Sequence, residues 1–570
     1  MKKWLVLILL LATILRFWNL GTYPDAIDED EMALGYYGYS LLTNGTDEYG
    51  NILPLYFESV GDYKYGLYSY FAAIPIGLFG LNAFTTRSIS AIAGVLSVLL
   101  IYFLSLEIFK KQKLGLMTAF VLAVAPIHIQ FSRIAYNNIL GSLFALAAIL
   151  FLIKYYKFPT TKRLAVAFGF FILGILSYQA YRIFLPLSFI FISALYVKKI
   201  NRKFLAKPIL VSLAAVVLVL VSFIPTQSRA RSQQLSNLTE IPKLIEYYSE
   251  DGMSGQPLVL TRLLHNKYQS FGMGFVKRYL EYFDPIFLFV ETSSNTTRHS
   301  IPETGLLYLI ELPFFAVGLA TMFYFTKQKE KYIPIILLLT APIAASLVLE
   351  SNSTTRALII VYGFVLIIAF GIYHLVHNKK LGKVFIIIVL GLYFANFVYY
   401  SHQFLVHKTY HHPWYSDVGL KEMVEQVNQN YDKYSAIVVS KGHYMPFLFF
   451  NKIHPKEFMA NSELLQRAVD SGTKVKSFGK VYFNMPVDCP AAGKANVLYV
   501  CFGSQLPPAA SIVSVIRFKD DQPAIMLVEY SSQASTQALP DKVHYSSNVD
   551  SRFDQGLLPV HYPSYWPLQD

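Results

Sequence analysis

The chain begins MKKWLVLILLLATILRFWNLGTYPDAIDEDEMALGYYGY (residues 1–39). Lys2 and Lys3 precede a predominantly apolar run over residues 4–18. A run of that length suits a bilayer-spanning helix, and the two lysines put its start on the cytoplasmic side. No small-residue cleavage site follows; the next residues are Asn19, Leu20, Gly21 and Thr22, so we read the run as a retained anchor rather than a signal peptide. The anchor then delivers Asp25, Asp28, Glu29, Asp30 and Glu31 to the outer face of the membrane.

The rest of the chain follows the same plan. Its 570 residues are 54% hydrophobic and only 15% charged, with a mean hydropathy of +0.40. A soluble domain rarely sustains such averages, because it must cover itself with polar surface. Apolar runs lie near 4–20, 86–109, 114–131, 138–155, 164–181, 183–197, 208–225, 305–325, 332–349, 356–375 and 383–401, about eleven spans by the length a bilayer requires. Lys2-Lys3, Lys110-Lys111 with Lys113, and the basic stretches 154–163, 198–207, 327–331 and 379–383 fall in every second connection. All of these are therefore cytoplasmic. The net charge of +13 is accordingly a signature of topology, and no nucleic-acid partner is expected. Residues 68–81 test the parity, because counting them as a span would invert everything downstream. They carry Pro75, Gly77 and Gly80 and are short, so we read them as an interfacial or re-entrant helix on the outer face.

Two domains follow: a transmembrane domain over 1–402, with long outer loops at 21–65 and 226–304, and an extracytoplasmic α/β domain over 403–570. In the second, 416–434 places Leu420, Met423, Val424, Val427 and Tyr431 at helical spacing. Residues 435–440, 497–502, 511–518 and 524–530 are short, apolar and β-branched, as strands are. A polar tail begins near residue 531. Cys489 and Cys501 are too few for a disulfide scaffold or a zinc ribbon. An outer location permits a disulfide between them, and two buried thiols fit equally. No internal repeat, Gly-rich phosphate loop or metal-ligand spacing is present, so no cofactor is expected and a divalent metal is left open.

The first outer loop interleaves acids with aromatics: Asp47, Glu48, Glu58 and Asp62 alternate with Tyr36, Tyr37, Tyr39, Tyr49, Tyr56, Phe57, Tyr63 and Tyr65. Such mixtures line sugar-binding surfaces and membrane interfaces. Asp30-Glu31-Met32-Ala33-Leu34-Gly35-Tyr36 resembles the Asp-Glu motif in the first outer loop of GT-C glycosyltransferases, and more narrowly of glycosyltransferase family 39. Thr46-Asp47-Glu48-Tyr49-Gly50, Leu53-Pro54-Leu55, Gly61-Asp62-Tyr63-Lys64 and Arg298-His299-Ser300 with Gly305-Leu306-Leu307-Tyr308 and Glu311-Leu312-Pro313 resemble a bacterial branch of that family. The chain departs from the family's Lys-Pro-Pro-Leu at Lys64-Tyr65-Gly66-Leu67, keeping the lysine.

The resemblance implies a GT-C fold and a lipid-linked sugar donor at the outer leaflet. A carboxylate deprotonates an acceptor hydroxyl of a protein, lipid or glycan, which displaces a polyprenyl phosphate with inversion. Asp30 is the expected base, with Glu31 beside it and Asp28 as the competitor, since Ile27-Asp28-Glu29 repeats the dipeptide two residues earlier. Asp28 or Asp30 also suits a helix N-cap. Lys64, Arg133, Arg182, Arg298 and Arg356 lie at outer positions against the positive-inside trend and are the expected phosphate ligands, with snorkelling to lipid headgroups as the plainer role of each. Asp62, Tyr63 and His299 are the expected substrate contacts. Competing classes are an O-antigen ligase or polymerase, an oligosaccharide transferase, a transporter and a non-catalytic receptor. A transporter would carry charges within its spans and matched halves, and neither is seen here.

The topology is open to direct test. A cysteine at position 45 should react with a membrane-impermeant label from outside, and one at position 112 only from inside. The reverse pattern at either site overturns the assignment.

Overall fold

A computed structural model of the chain describes residues 2–59, 63–197, 208, 210, 241–292, 300–348, 352–376, 382–411, 417–465, 474–483, 489–503, 505–507 and 509–531. Among these, Ala83–Phe109, Asn137–Lys157 and Val384–Tyr410 are helices long and apolar enough to cross a membrane. Shorter apolar helices coincide with further expected spans, including Gln112–Val124, Tyr181–Ala194, Glu311–Phe325 and Ile360–Val376. The protein is a polytopic helical membrane protein; the span expected over 208–225 lies almost wholly outside the described residues.

The N-terminal half runs α1 (Lys2–Phe17), α2 (Glu29–Asn44), the strands β1 (Tyr56–Glu58) and β2 (Tyr63–Tyr65), α3 (Leu67–Phe79), α4 (Ala83–Phe109), α5 (Gln112–Val124), α6 (Pro126–Phe131), α7 (Asn137–Lys157), α8 (Thr161–Ser177) and α9 (Tyr181–Ala194). The single run expected over 114–131 is two helices. Pro126 has no N–H to continue the ladder, so α5 ends and α6 restarts with that proline in its first turn.

Helix α2 sets the geometry of the acidic loop. Asp28 caps it: the backbone there is extended, and Oδ1 accepts the Glu31 N–H at 2.8 Å. Gly45 ends it in the left-handed region, φ 70°, where a side chain would be strained. A Cβ on Gly35 would lie 2.4 Å from Thr86 Oγ1 and 2.9 Å from the Phe449 ring. That glycine lets α2 sit wedged between α4 and the helix Met445–Phe450 of the C-terminal domain. α3, the expected interfacial segment, packs along α2, with the Ser69 hydroxyl donating to Leu34 O at 3.0 Å.

The C-terminal domain is a seven-stranded sheet in the order β4-β5-β6-β3-β7-β9-β8. The strands are β3 (Ala436–Val439), β4 (Ser462–Leu464), β5 (Val475–Phe478), β6 (Val481–Tyr482), β7 (Val497–Phe502), β8 (Ala510–Arg517) and β9 (Pro523–Tyr530). β3 runs parallel to β6 and β7, and the remaining pairs are antiparallel. The helix Leu420–Asn430 buries Leu420, Met423, Val424 and Val427, the face its spacing foretold. Cys489 and Cys501 are joined as a disulfide.

A close helix crossing among the described residues joins Glu311–Phe325 to Ile360–Val376. A Cβ on Gly318 would stand 2.0 Å from Ile367 O, and one on Gly371 2.0 Å from Phe314 O. With backbones that close, only glycine fits. Gly318→Ala should cost about 1–3 kcal/mol through forced separation of the helices. Gly169→Ala in α8, where nothing lies within 4 Å of the added carbon, should be neutral or slightly stabilising. Thermal unfolding in detergent decides, and equal midpoints for the two variants would refute the close crossing.

Candidate active site

Four consecutive acids, Asp28, Glu29, Asp30 and Glu31, open α2. Each helical residue turns the side chain by about 100°, so the four point four ways and meet four different partners. Asp28 turns back to cap the helix. Glu29 meets the C-terminal domain: its Oε2 lies 3.1 Å from His443 Nδ1, and its backbone N–H donates to Asp417 Oδ2 at 3.0 Å. Asp30 Oδ1 accepts from Lys64 Nζ at 2.5 Å. Glu31 points inward to Arg87.

The Glu31–Arg87 pair is the buried centre of this arrangement, with both side chains at most 2% exposed. Arg87 Nε donates to Oε2 at 2.8 Å and Nη2 to Oε1 at 2.9 Å, a bidentate fork. Its remaining N–H groups donate to Leu20 O, Pro24 O and Ala26 O. Glu31 Oε2 also accepts the Ala135 N–H at 2.7 Å. One ion pair thus fixes the loop leaving α1, the start of α2, the start of α4 and the connection into α7.

Asp30 is the acid left facing open space; its side chain is 35% exposed, against 11% for Lys64. Lys64 is presented by the β1–β2 hairpin, where it stands opposite Phe57. Side chains alternate across a strand. Phe57 is fully buried and stacks on Tyr37 at 4.4 Å, while Tyr56 and Tyr65 face the other way, onto Arg182. Tyr136, at the entrance to α7, joins this wall beside Tyr178, with ring centroids 6.3 Å apart. Burial, and then the proximity of Tyr178 and Asp30, pushes the Tyr136 phenol well above the usual range, so it stays neutral and able to donate. Arg356 acts on the same phenol from the short helix Thr354–Ala357. That helix is tied to α7 by Asn138 Nδ2 donating to Thr355 O at 3.0 Å.

The expected site residues therefore separate. Asp30 is paired with Lys64, and Asp30 and Arg356 both act electrostatically on the Tyr136 phenol. Asp28 and Glu31 are engaged in capping and in the buried ion pair. Arg182 lies under Tyr56 and Tyr65 and bonds the Tyr56 hydroxyl. Arg133 is 2% exposed, and it donates to Leu15 O, Trp18 O and Tyr23 O, clasping the chain as it leaves α1. Tyr63 stands opposite Glu58 in the hairpin. Asp62, Arg298 and His299 lie outside the described residues. The aromatic loop is only partly a surface: Tyr36, Tyr37 and Phe57 are core residues. Sequence reading missed Arg87 and Tyr136. Arg87 had a signal, a lone cation near the outer end of a long apolar run. Tyr136 had none beyond its nearness to Arg133. Among the described residues, no three His, Cys, Asp or Glu side chains converge as metal ligands.

Parts of the chain are similar to known proteins. Residues 67–226 match the family described as dolichyl-phosphate-mannose-protein mannosyltransferase. A curated relative, dolichyl-phosphooligosaccharide-protein glycotransferase 2 of Archaeoglobus fulgidus, is 29% identical over 136 residues. That stretch is 22% of this chain and 22% of the relative, so the match spans about a fifth of the relative's length. Among solved structures, ArnT from Cupriavidus metallidurans bound to undecaprenyl phosphate aligns with 94% of this chain and 100% of its own, at 11% identity and a TM-score of 0.48. The apo oligosaccharyltransferase of Archaeoglobus fulgidus aligns with 78% of this chain and 63% of its own, at 16% identity and a TM-score of 0.46.

The buried pair generates a stability test. Arg87→Ala leaves Glu31 charged, buried and uncompensated, and should destabilise the protein by about 3–5 kcal/mol. Glu31→Gln in the same background should recover part of that loss. If thermal unfolding shows the single variant as stable as wild type, the ion pair does not organise this face.

Proposed function

We propose that the protein is a membrane glycosyltransferase that moves a sugar from a polyprenyl phosphate to a hydroxyl acceptor, with Asp30 as the base and inversion at the anomeric carbon. The observation that carries this reading is the placement of Asp30. It is the acid of the first turn of α2 that faces open space, and it is held by a cation rather than buried in the frame. In this reading the reaction runs on the outer face of the plasma membrane, with the N-terminus cytoplasmic and the C-terminal domain outside. The names of the matched family and of the curated relative both put the transferred sugar on a dolichyl phosphate carrier, which supports a lipid-phosphate donor here.

The chemistry follows from the contacts. Without donor, Lys64 is bonded to Asp30. A donor phosphate offers Lys64 a competing anion, and its arrival releases Asp30 to accept a proton. The acceptor hydroxyl then attacks the anomeric carbon. Its oxygen–carbon bond forms as the bond from that carbon to the phosphate oxygen breaks, and the hydroxyl proton passes to Asp30. Charge grows on the departing phosphate, where Lys64 and Arg356 stabilise it most strongly in the transition state. The neutral Tyr136 phenol donates to the sugar or to the phosphate. The acceptor is a protein, lipid or glycan hydroxyl. A second reading, transfer of a whole lipid-linked oligosaccharide to protein, is favoured by the name of the curated relative, and the size of the donor consumed separates the two.

Asp30→Asn keeps size and removes the proton acceptor. Turnover of a polyprenyl-phosphate sugar should fall by about a hundredfold or more, while affinity for the product polyprenyl phosphate is kept. Asp28→Asn retains a good N-cap and should retain activity. An active Asp30→Asn beside an inactive Asp28→Asn would move the base by two residues.

A further inference from the structure

The base is set on a helix end, and helix ends fray unless their first amides are satisfied. The first amide of α2 belongs to Glu29, directly before Asp30, and it is satisfied from another domain by Asp417. The Glu29 side chain is held by the same domain through His443. His443 follows β3 through the turn Ser440–Gly442, and its ring lies 4.8 Å from that of Phe502 on β7, so the central sheet fixes its position. Glu29 Oε1 is buried and has no hydrogen-bond partner among the described residues. His443 is thus the side chain that answers the Glu29 carboxylate.

We propose that His443, with Asp417, is a positioning residue for catalysis: the C-terminal domain grips the first turn of α2 so that Asp30 faces the donor phosphate and the acceptor. The proposal rests on the reading of Asp30 as the base. It makes the C-terminal domain a working part of the active site rather than an appended module. The grip is separable from docking, because other contacts hold the two domains together. The Tyr36 hydroxyl donates to Ile453 O at 2.9 Å, and the Tyr444 hydroxyl to Glu48 Oε1 at 3.2 Å. Lys474 pairs with Glu58, and Lys519 with Asp25. Removing the His443 ring leaves all four contacts in place, as well as the Asp28 cap and the Glu31–Arg87 pair, and loosens only the Glu29 side chain beside Asp30. Small displacements of a reacting group are costly, since catalysis depends on its alignment.

The test uses the purified full-length chain, with a polyprenyl-phosphate sugar as donor. His443→Ala should lower turnover between about tenfold and a hundredfold, with product polyprenyl-phosphate affinity and the thermal midpoint close to wild type. His443→Gln, which keeps a donor toward Glu29, should retain most of the activity. Glu29→Gln added to His443→Ala should restore part of the turnover, because a neutral amide tolerates the lost partner better than a carboxylate does. Lys476→Ala, which breaks an exposed pair within the C-terminal domain, is the inert control. Wild-type turnover in His443→Ala, in a chain that Asp30→Asn inactivates, overturns the proposal alone. A loss that tracks a lowered thermal midpoint and is not relieved by Glu29→Gln also overturns it, reducing His443 to a structural role. An active Asp30→Asn removes the base reading, and the proposal falls with it.

Discussion

The acidic first loop of this protein is organised around one buried ion pair. A carboxylate and a guanidinium at most 2% exposed can coexist only if each lone pair and each N–H finds a partner. Glu31 and Arg87 meet that condition by drawing in three carbonyls from the loop after α1 and the Ala135 amide ahead of α7. The cost of isolating either charge therefore becomes a restraint on four chain segments at once. It also fixes the rotation of α2. With Glu31 turned inward, helical geometry turns Asp30 outward and Glu29 toward the C-terminal domain, whose His443 and Asp417 hold that end of the turn.

The same economy of partners explains the rest of the acidic loop. Carboxylates next to a membrane need cations or hydrogen bonds. Glu58 and Asp25 find lysines of the C-terminal domain, Lys474 and Lys519. Glu48 is the exception. It is about 1% exposed and bonded by the hydroxyls of Tyr37 and Tyr444. Burial pushes its carboxyl well above the usual range, which favours the neutral form in the interface. Charge patterning in the loop thus serves chiefly to seat one domain on the other, and of the first-turn acids of α2 the most exposed is Asp30.

Much of the architecture was legible from residues alone, because the bilayer imposes a length on every apolar run and a charge bias on every connection. Helix boundaries such as Asn137–Lys157 and strands such as Val497–Phe502 fall close to the runs read from the sequence. The Asp-Glu motif and Lys64 pointed to the outer face by composition and position. The division of α5 from α6 at Pro126 was also written locally, though in a run apolar enough to read as one helix.

Sequence could not decide which of several like residues does what. Asp28, Asp30 and Glu31 are equally acidic, and Arg133, Arg182 and Arg356 equally cationic. Only tertiary contacts distinguish them: a capped amide, a buried guanidinium, three loop carbonyls, a pair of tyrosine rings, a neighbouring phenol. The partners that assign these roles lie far away along the chain, Arg87 from Glu31 and His443 from Glu29. The sequence determined that the chain crosses the membrane repeatedly and carries its acids on a loop beside the first span, because hydrophobic length and charge are local properties. The tertiary structure decided which acid of the first turn of α2 is left exposed and which domain contacts that turn, because pairing a charge depends on what the fold brings near.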